Sequence, residues 1–421
     1  MEINKREELA LYQELRFEQT GKEPNSTGSL SEAEIKKLLE DLKSNSTYED
    51  PSEPSDLKTI LKLSDAKDIR LDVDDYEGRL LAALYARFAG CLLGVPVEGY
   101  SIERMEDIAK RGKMLFPPVD YWTLVEPAEQ IQYGVDKRGN YSKGKIDAVL
   151  VDDDISYTVL NAILLDKYGF DFTTKDVAEL WVDILPYACT AEDRALRALK
   201  EGVKPEEAAE NNPYIEWIGA AIRSDAFAFA CPGEPKRAAE LAYKDAYLTH
   251  RRNGIYGEMF LAAAQAAAFA TKDVIEALKI GMMYIPKQSR LYKDLVWAFK
   301  KAANLKDFKQ ARALIDERYP TMDSVHTNNN MIDIVFTTSL AGQDFTKAIS
   351  IAVGMGLDND CTAASIGSLY GANLGLKGIS KHWYECFNNT IKTYIKGYER
   401  ITFDELIKMF NQIRRNSNEK Q

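Results

Sequence analysis

Two stretches of this chain repeat small residues at four-residue intervals inside helical, apolar sequence. "YARFAGCLLG" carries Ala86, Gly90 and Gly94, and "SIGSLYGANLG" carries Gly367, Gly371 and Gly375. Residues four apart share one face of a helix. A glycine in a helix interior costs about 1 kcal/mol relative to alanine. Repeating that cost along one face predicts a second backbone packed against it, closer than larger side chains allow. The stripes therefore suggest helix backbones packed very close together.

Other segments agree with a helical reading. "DISYTVLNAILLDKYG" places Ile155, Val159 and Ile163 on one face and should end near Gly169. "EPKRAAELAYKDAYLTHRRNG" should start near Pro235 and run to about Gly254, and "NGIYG" (253–257) has the composition of a turn. The Ala-rich "YGEMFLAAAQAAAFATKD" is the longest low-charge stretch. It is too short to span a bilayer and is expected to be a buried helix. No β-alternation of useful length appears. The expected fold is all-α, one catalytic-sized unit over residues 74–421. It is preceded by a charged helical extension and linker over residues 1–73. Within the extension Ser31 and Glu34 form a capping box, with Leu30 and Ile35 at the staple positions. "NSTYEDPSEPSD" (45–56) reads as a linker, so the extension is expected to be loosely attached.

Acids outnumber bases 65 to 54, for a net charge of −11, which argues against a nucleic-acid partner. The five cysteines are scattered and in no CxxC spacing, which suits a reduced, cytoplasmic protein. The N-terminus shows no apolar signal region, and no membrane partner is expected. The three histidines are far apart, so a histidine-built zinc site is not expected.

The chemistry concentrates in two acidic helix starts. "VDDD" (151–154) holds Asp152, Asp153 and Asp154, and "DNDC" (358–361) holds Asp358 and Asp360. A helix N-terminus favours one carboxylate, by about 0.3–1 kcal/mol. Two or three exceed what capping needs. Oxygen-rich clusters of this kind suit hard cations such as Mg²⁺ or Mn²⁺.

In order and separation these motifs resemble the ADP-ribosylglycohydrolase family. Its first motif runs roughly G-D-x-x-G-x-P-x-E, here "GCLLGVPVE" (90–98), with Glu98 at the functional acid. Its second, T-D-D-T, is "VDDD" here. Its last, D-T-D-T before a glycine-striped helix, is "DNDC" here. The resemblance covers about residues 80–375. It implies a compact orthogonal bundle of many helices with a metal site at helix N-termini. It also implies two Mg²⁺ (or Mn²⁺) ions and cleavage at C1 of a ribose.

Carried over, Asp152, Asp153, Asp154, Asp358, Asp360 and Cys361 are the candidate metal ligands. Glu98, Asp153 and Asp360 are the candidate catalytic acids. "GAAIRSDAF" and "LTH" resemble the family's ligand-facing segments. They make Gly219, Arg223, Asp225 and His250 candidate substrate contacts, joined by Asn253, Gly254 and Tyr256 as a pocket lining. Arg223 and Asp225 could equally be an ordinary surface ion pair. The departures are Cys91 for the first motif's Asp, Val151 and Asp154 for the second motif's threonines, and Cys361 for the last threonine.

The implied reaction is attack of an oriented water at C1 of a ribose through an oxocarbenium-like state. The substrate would be a small ribosyl molecule or an ADP-ribosylated target. Two alternatives are a hydrolase of nucleoside-like N-ribosides, needing no diphosphate site, and an inactive binder of ADP-ribose-like ligands.

Overall fold

The computed structural model describes residues 4–20, 30–44, 50–127 and 138–418. Helices dominate it, and the sheet among the described residues is one antiparallel pair, Ile391–Lys392 with Arg400–Ile401.

The two small-residue stripes face each other. The helices Tyr76–Gly94 and Asn359–Leu374 cross in the centre of the core. A Cβ on Gly90 would overlap the Ala363 carbonyl, one on Gly367 the Ala86 carbonyl, and one on Gly371 the Ala82 carbonyl. These glycines permit backbone-to-backbone contact where any side chain would push the helices apart. A Cβ on Gly94 would overlap the Asp360 backbone. The last turn of one striped helix therefore sits on the first turn of the other. Gly375 departs from the expectation. It is not on the contact but ends its helix at φ +65, where a Cβ would be strained.

The Tyr76–Val97 segment, rather than the Ala-rich one, is long and apolar enough to cross a membrane. However, 89% of its apolar window is buried inside the protein. The Ala-rich helix, Asn253–Ala268, is buried over its whole length, as expected.

Two boundaries differ from the sequence reading. The Pro235 helix stops at Ala246, and a new helix starts at Asn253. Between them Arg252 adopts φ +52, a left-handed conformation that no glycine announces. "NGIYG" is therefore the first turn of a helix, not a loop.

The extension forms helices Lys5–Thr20 and Glu32–Ser44. Ser31 N–H donates to Glu34 Oε2 at 2.8 Å, and Leu30 and Ile35 pack in one cluster. Its attachment is firmer than its composition suggested. Residues 45–49 lie outside the described residues, but Glu53 is buried against the main domain. Its carboxylate pairs with Arg252, accepts from Asn253 Nδ2 at 3.0 Å and from the Arg290 N–H at 2.6 Å. Tyr256 Oη donates to the Pro54 carbonyl, and Tyr284 Oη to the Lys67 carbonyl at 2.9 Å. Further along the chain, His326 Nε2 lies 2.9 Å from Glu18 Oε2. One buried acid in a linker-like run fixes the strap, and composition averages such a residue away.

Candidate metal centre

The striped contact decides where the acids go. Asp152 caps the helix Asp153–Tyr168. Its Oδ1 accepts from Asp154 N–H at 3.0 Å and from the Cys91 thiol at 3.3 Å. Asp358 sits at the N-cap of the second striped helix, yet its side chain makes no capping bond. Its N–H instead donates to Asn330 Oδ1 at 3.2 Å, which fixes the turn. Thr362, a conceivable substitute donor for Cys361, spends its hydroxyl on the Asp358 carbonyl at 2.8 Å. Asn359 Nδ2 donates to the Val97 carbonyl at 3.2 Å, tying the 3-10 turn before Glu98 to the acidic turn.

Three groups of donor atoms result. Within each group the atoms lie no more than 4.8 Å apart: Glu98, Asp358 and Asp360; Asp154, Asp360 and Cys361; Cys91, Asp152 and Asp154. Acids about 200 residues apart in sequence thus share one site. Asp153 is half-buried beside them, and its charge bears on Asp152, Asp360, Cys189 and Tyr394.

The electrostatics of the cluster are unbalanced. Burial, with the charge of Asp153 and a partial offset from Arg87, pushes the Asp154 carboxyl up to about 7. Burial and the Asp154 charge push Asp360 up to about 7. Asp152 and Asp358 are driven well above the usual carboxylate range by burial, then by Asp153 and by Asp360 respectively. The cation nearest the group is Arg87, wholly buried. It meets Asp154 Oδ1 at 3.3 Å, Asp225 Oδ2 at 2.8 Å and the Ile222 carbonyl at 2.7 Å. Asp154 Oδ2 and Asp360 Oδ1 are buried and accept no hydrogen bond of ordinary geometry. Unpaired buried carboxylate oxygens are costly. Carboxylates aimed at one point, short of cations and donors, fit a divalent ion.

The expected substrate contacts form the layer beneath this site. Arg223 is fully buried and boxed in by Glu192 at 2.5 Å, Asp245 at 2.5 Å and Glu258 at 3.8 Å, with its guanidinium over Trp181 and Tyr157. Asp225 is held by Arg87, by Ser368 Oγ at 2.6 Å and by Gln265 Nε2 at 2.8 Å. Arg223 and Asp225 are therefore neither a surface pair nor partners of each other. A Cβ on Gly219 would overlap the Glu192 carboxylate, and one on Gly254 the Ile215 carbonyl, so both glycines serve packing. His250 is fully buried, with Nδ1 2.6 Å from Thr249 Oγ1. Burial and Arg223 hold its pKa well below the usual range, so it is neutral. Asn253 and Tyr256 are buried and bind the strap at Glu53 and Pro54.

The sequence reading missed Arg87, Asn330 and Asn359. A lone arginine in the apolar run "LYARFAGCLLG", and the "NNN" (328–330) that opens a buried helix, were the available signals. A charge or amide in such a setting must find partners.

The architecture is helical and its centre is lined by acids. The sequence model of the ADP-ribosylglycohydrolase family matches residues 72–417, so the chain belongs to that family. Among solved structures, a chain described as an "ADP-ribosylglycohydrolase-related protein complex" is similar at 19% identity with a TM-score of 0.48. The match covers 82% of this chain and 99% of that one. No curated protein matches. The family is one of glycosyl hydrolases.

Proposed function

We propose that this protein is a divalent-metal-dependent hydrolase that cleaves a ribosyl glycosidic bond, with water attacking C1 of the ribose. The observation that carries the reading is the convergence of Glu98, Asp154, Asp358 and Asp360, with two of their buried oxygens lacking donors. Glu98, Asp358 and Asp360 supply an oxygen-only set suited to Mg²⁺ or Mn²⁺. A divalent ion held by these residues would offset the crowded negative charge and would supply Lewis-acid activation of a water. The Asp152 carboxylate is directed by its capping bond, and Asn330 holds the backbone of Asp358. Asp153 and Glu98 are the half-exposed acids of the group, so they face the substrate side. Glu98 lies on a turn pinned by Asn359 and takes the proton from the attacking water.

The substrate is an ADP-ribosyl linkage on a small molecule or a target protein. One observation favours a second, smaller substrate. Arg223, the cation among the candidate substrate contacts, is already matched by Glu192, Asp245 and Glu258. A nucleoside-like N-riboside needs no such cation. The deciding experiment offers the full chain with Mg²⁺ a panel of ADP-ribosylated arginine and serine peptides, ADP-ribose esters and nucleosides, and follows the products. Release of ADP-ribose supports the first reading and release of free base the second. No turnover on any, with metal bound, refutes hydrolysis of these classes.

A further inference from the structure

The donors around Asp154 differ in kind from the outer oxygen set. Cys91 belongs to one glycine-striped helix and Cys361 to the other, and the close crossing delivers both thiols to one carboxylate. Cys91 Sγ groups with oxygens of Asp152 and Asp154, and Cys361 Sγ with oxygens of Asp154 and Asp360. Both thiols are buried. Arg87 takes Asp154 Oδ1, while Asp154 Oδ2 and Asp360 Oδ1 accept no hydrogen bond of ordinary geometry. These two buried oxygens, on the carboxylates that group with the thiols, are the independent sign that a ligand other than a protein donor belongs there.

We propose that Cys91 and Cys361 are sulfur ligands to cation held at Asp154, and that they turn this part of the centre toward a borderline, thiophilic divalent ion of the Zn²⁺, Co²⁺ or Fe²⁺ class. The inference rests on the metal reading above and deepens it. Glu98, Asp358 and Asp360 remain a hard-cation set, whereas a thiolate is a poor ligand for Mg²⁺ and a good one for borderline ions. Each thiol that ligates gives its proton to solvent, so uptake of such an ion releases protons. The competing arrangement keeps both thiols protonated, as buried donors like the Cys91–Asp152 contact.

The test uses the full chain stripped with EDTA and titrated with Co²⁺ alone, then with Mg²⁺ alone, following near-ultraviolet absorption and melting temperature. A sulfur-to-cobalt charge-transfer band is expected, reduced in Cys91→Ser and in Cys361→Ser and absent in the double variant. Each substitution should weaken Co²⁺ binding by about tenfold, the lower end of what removing a group around a metal costs. The Mg²⁺ shift should hardly change. Unchanged melting in EDTA shows that the serine variants fold. If one does not, the wild-type spectrum still decides. Co²⁺ that raises the melting temperature without the band overturns the thiol assignment and leaves the metal centre standing. If no divalent ion raises the melting temperature, both readings fall.

Discussion

Two buried carboxylate clusters in this protein behave in opposite ways. Where the strap docks, Glu53 and Glu216 face Arg252, Arg290 and Asn253. Burial would raise the Glu216 carboxyl, but Arg252 and Arg290 outweigh it and hold it near about 2. At the crossing of the striped helices, Asp154 and Asp360 are pushed to about 7 by burial; Arg87 partly offsets the rise at Asp154, and Asp360 has hydrogen bonding but no cation to offset its own. Both clusters are equally dry. The first is balanced by the chain's own cations and is architecture. The second is short of positive charge, which is what the proposed metal would supply. Burial alone therefore does not tell these two clusters apart, whereas their charge balance does.

The comparison breaks first at its balanced side. Arg252→Ala leaves Glu53 and Glu216 with one arginine and should cost about 3–5 kcal/mol, as expected for an uncompensated buried charge. Chemical denaturation would measure it. The melting shift produced by Mg²⁺ should survive in whatever fraction folds, because the strap holds none of the metal donors. If the shift vanished while the fold persisted, the two clusters would be coupled.

Asp360→Asn tests the other side. It relieves repulsion, so in EDTA the variant should melt no lower than wild type, while turnover with Mg²⁺ falls at least about 100-fold. An Asp360→Asn protein destabilised in EDTA would mean that this cluster too is architectural.

The join between the striped helices comes next. Gly367→Ala drives a Cβ into the Ala86 carbonyl and should cost about 1–3 kcal/mol, as for overpacking. Because Gly94 rests on Asp360, the same change should weaken Mg²⁺ binding. Full metal affinity in a destabilised variant would show that the crossing does not position the acids.

How much of this could be read from sequence follows from where each partner lies. The glycine stripes announced their own contact, and through Gly94 that contact fixes the site. The acids of "VDDD" and "DNDC" announced a function because they outnumber the capping needs of two helices. Which acid of the triplet does what was hidden. Asp152 takes the cap and Asp154 takes Arg87, and these are choices of rotamer and register. The roles of Arg223 and Asp225 were hidden because their partners, Glu192, Asp245, Arg87 and Ser368, lie far away along the chain. Glu53 was hidden by the polar run around it, and the helix break at Arg252 by the absence of glycine.

Glu98→Gln should fold, keep a reduced Mg²⁺ melting shift through Asp358 and Asp360, and lose at least about tenfold in rate. Full activity would move the proton-accepting role to another acid.

The smallest effect is on pH. Glu216 has a folded-state pKa of about 2 against an ordinary 4.5, so its contribution to stability is in place above about pH 4.5 and is lost as pH falls through about 2. Glu216→Gln should flatten the acid limb of the stability curve over that window. An unchanged limb would deny the balanced pairing.

The central claim is that the two acidic helix starts share one cation site. Melting of the wild type, Asp154→Asn, Asp360→Asn and the double variant, each with and without millimolar Mg²⁺ or Mn²⁺, tests it most directly. Each single variant should lose most of the metal-induced rise, and the double should lose little more, because both changes empty the same site. Independent, additive losses, or no rise in the wild type with any divalent ion, would contradict the account.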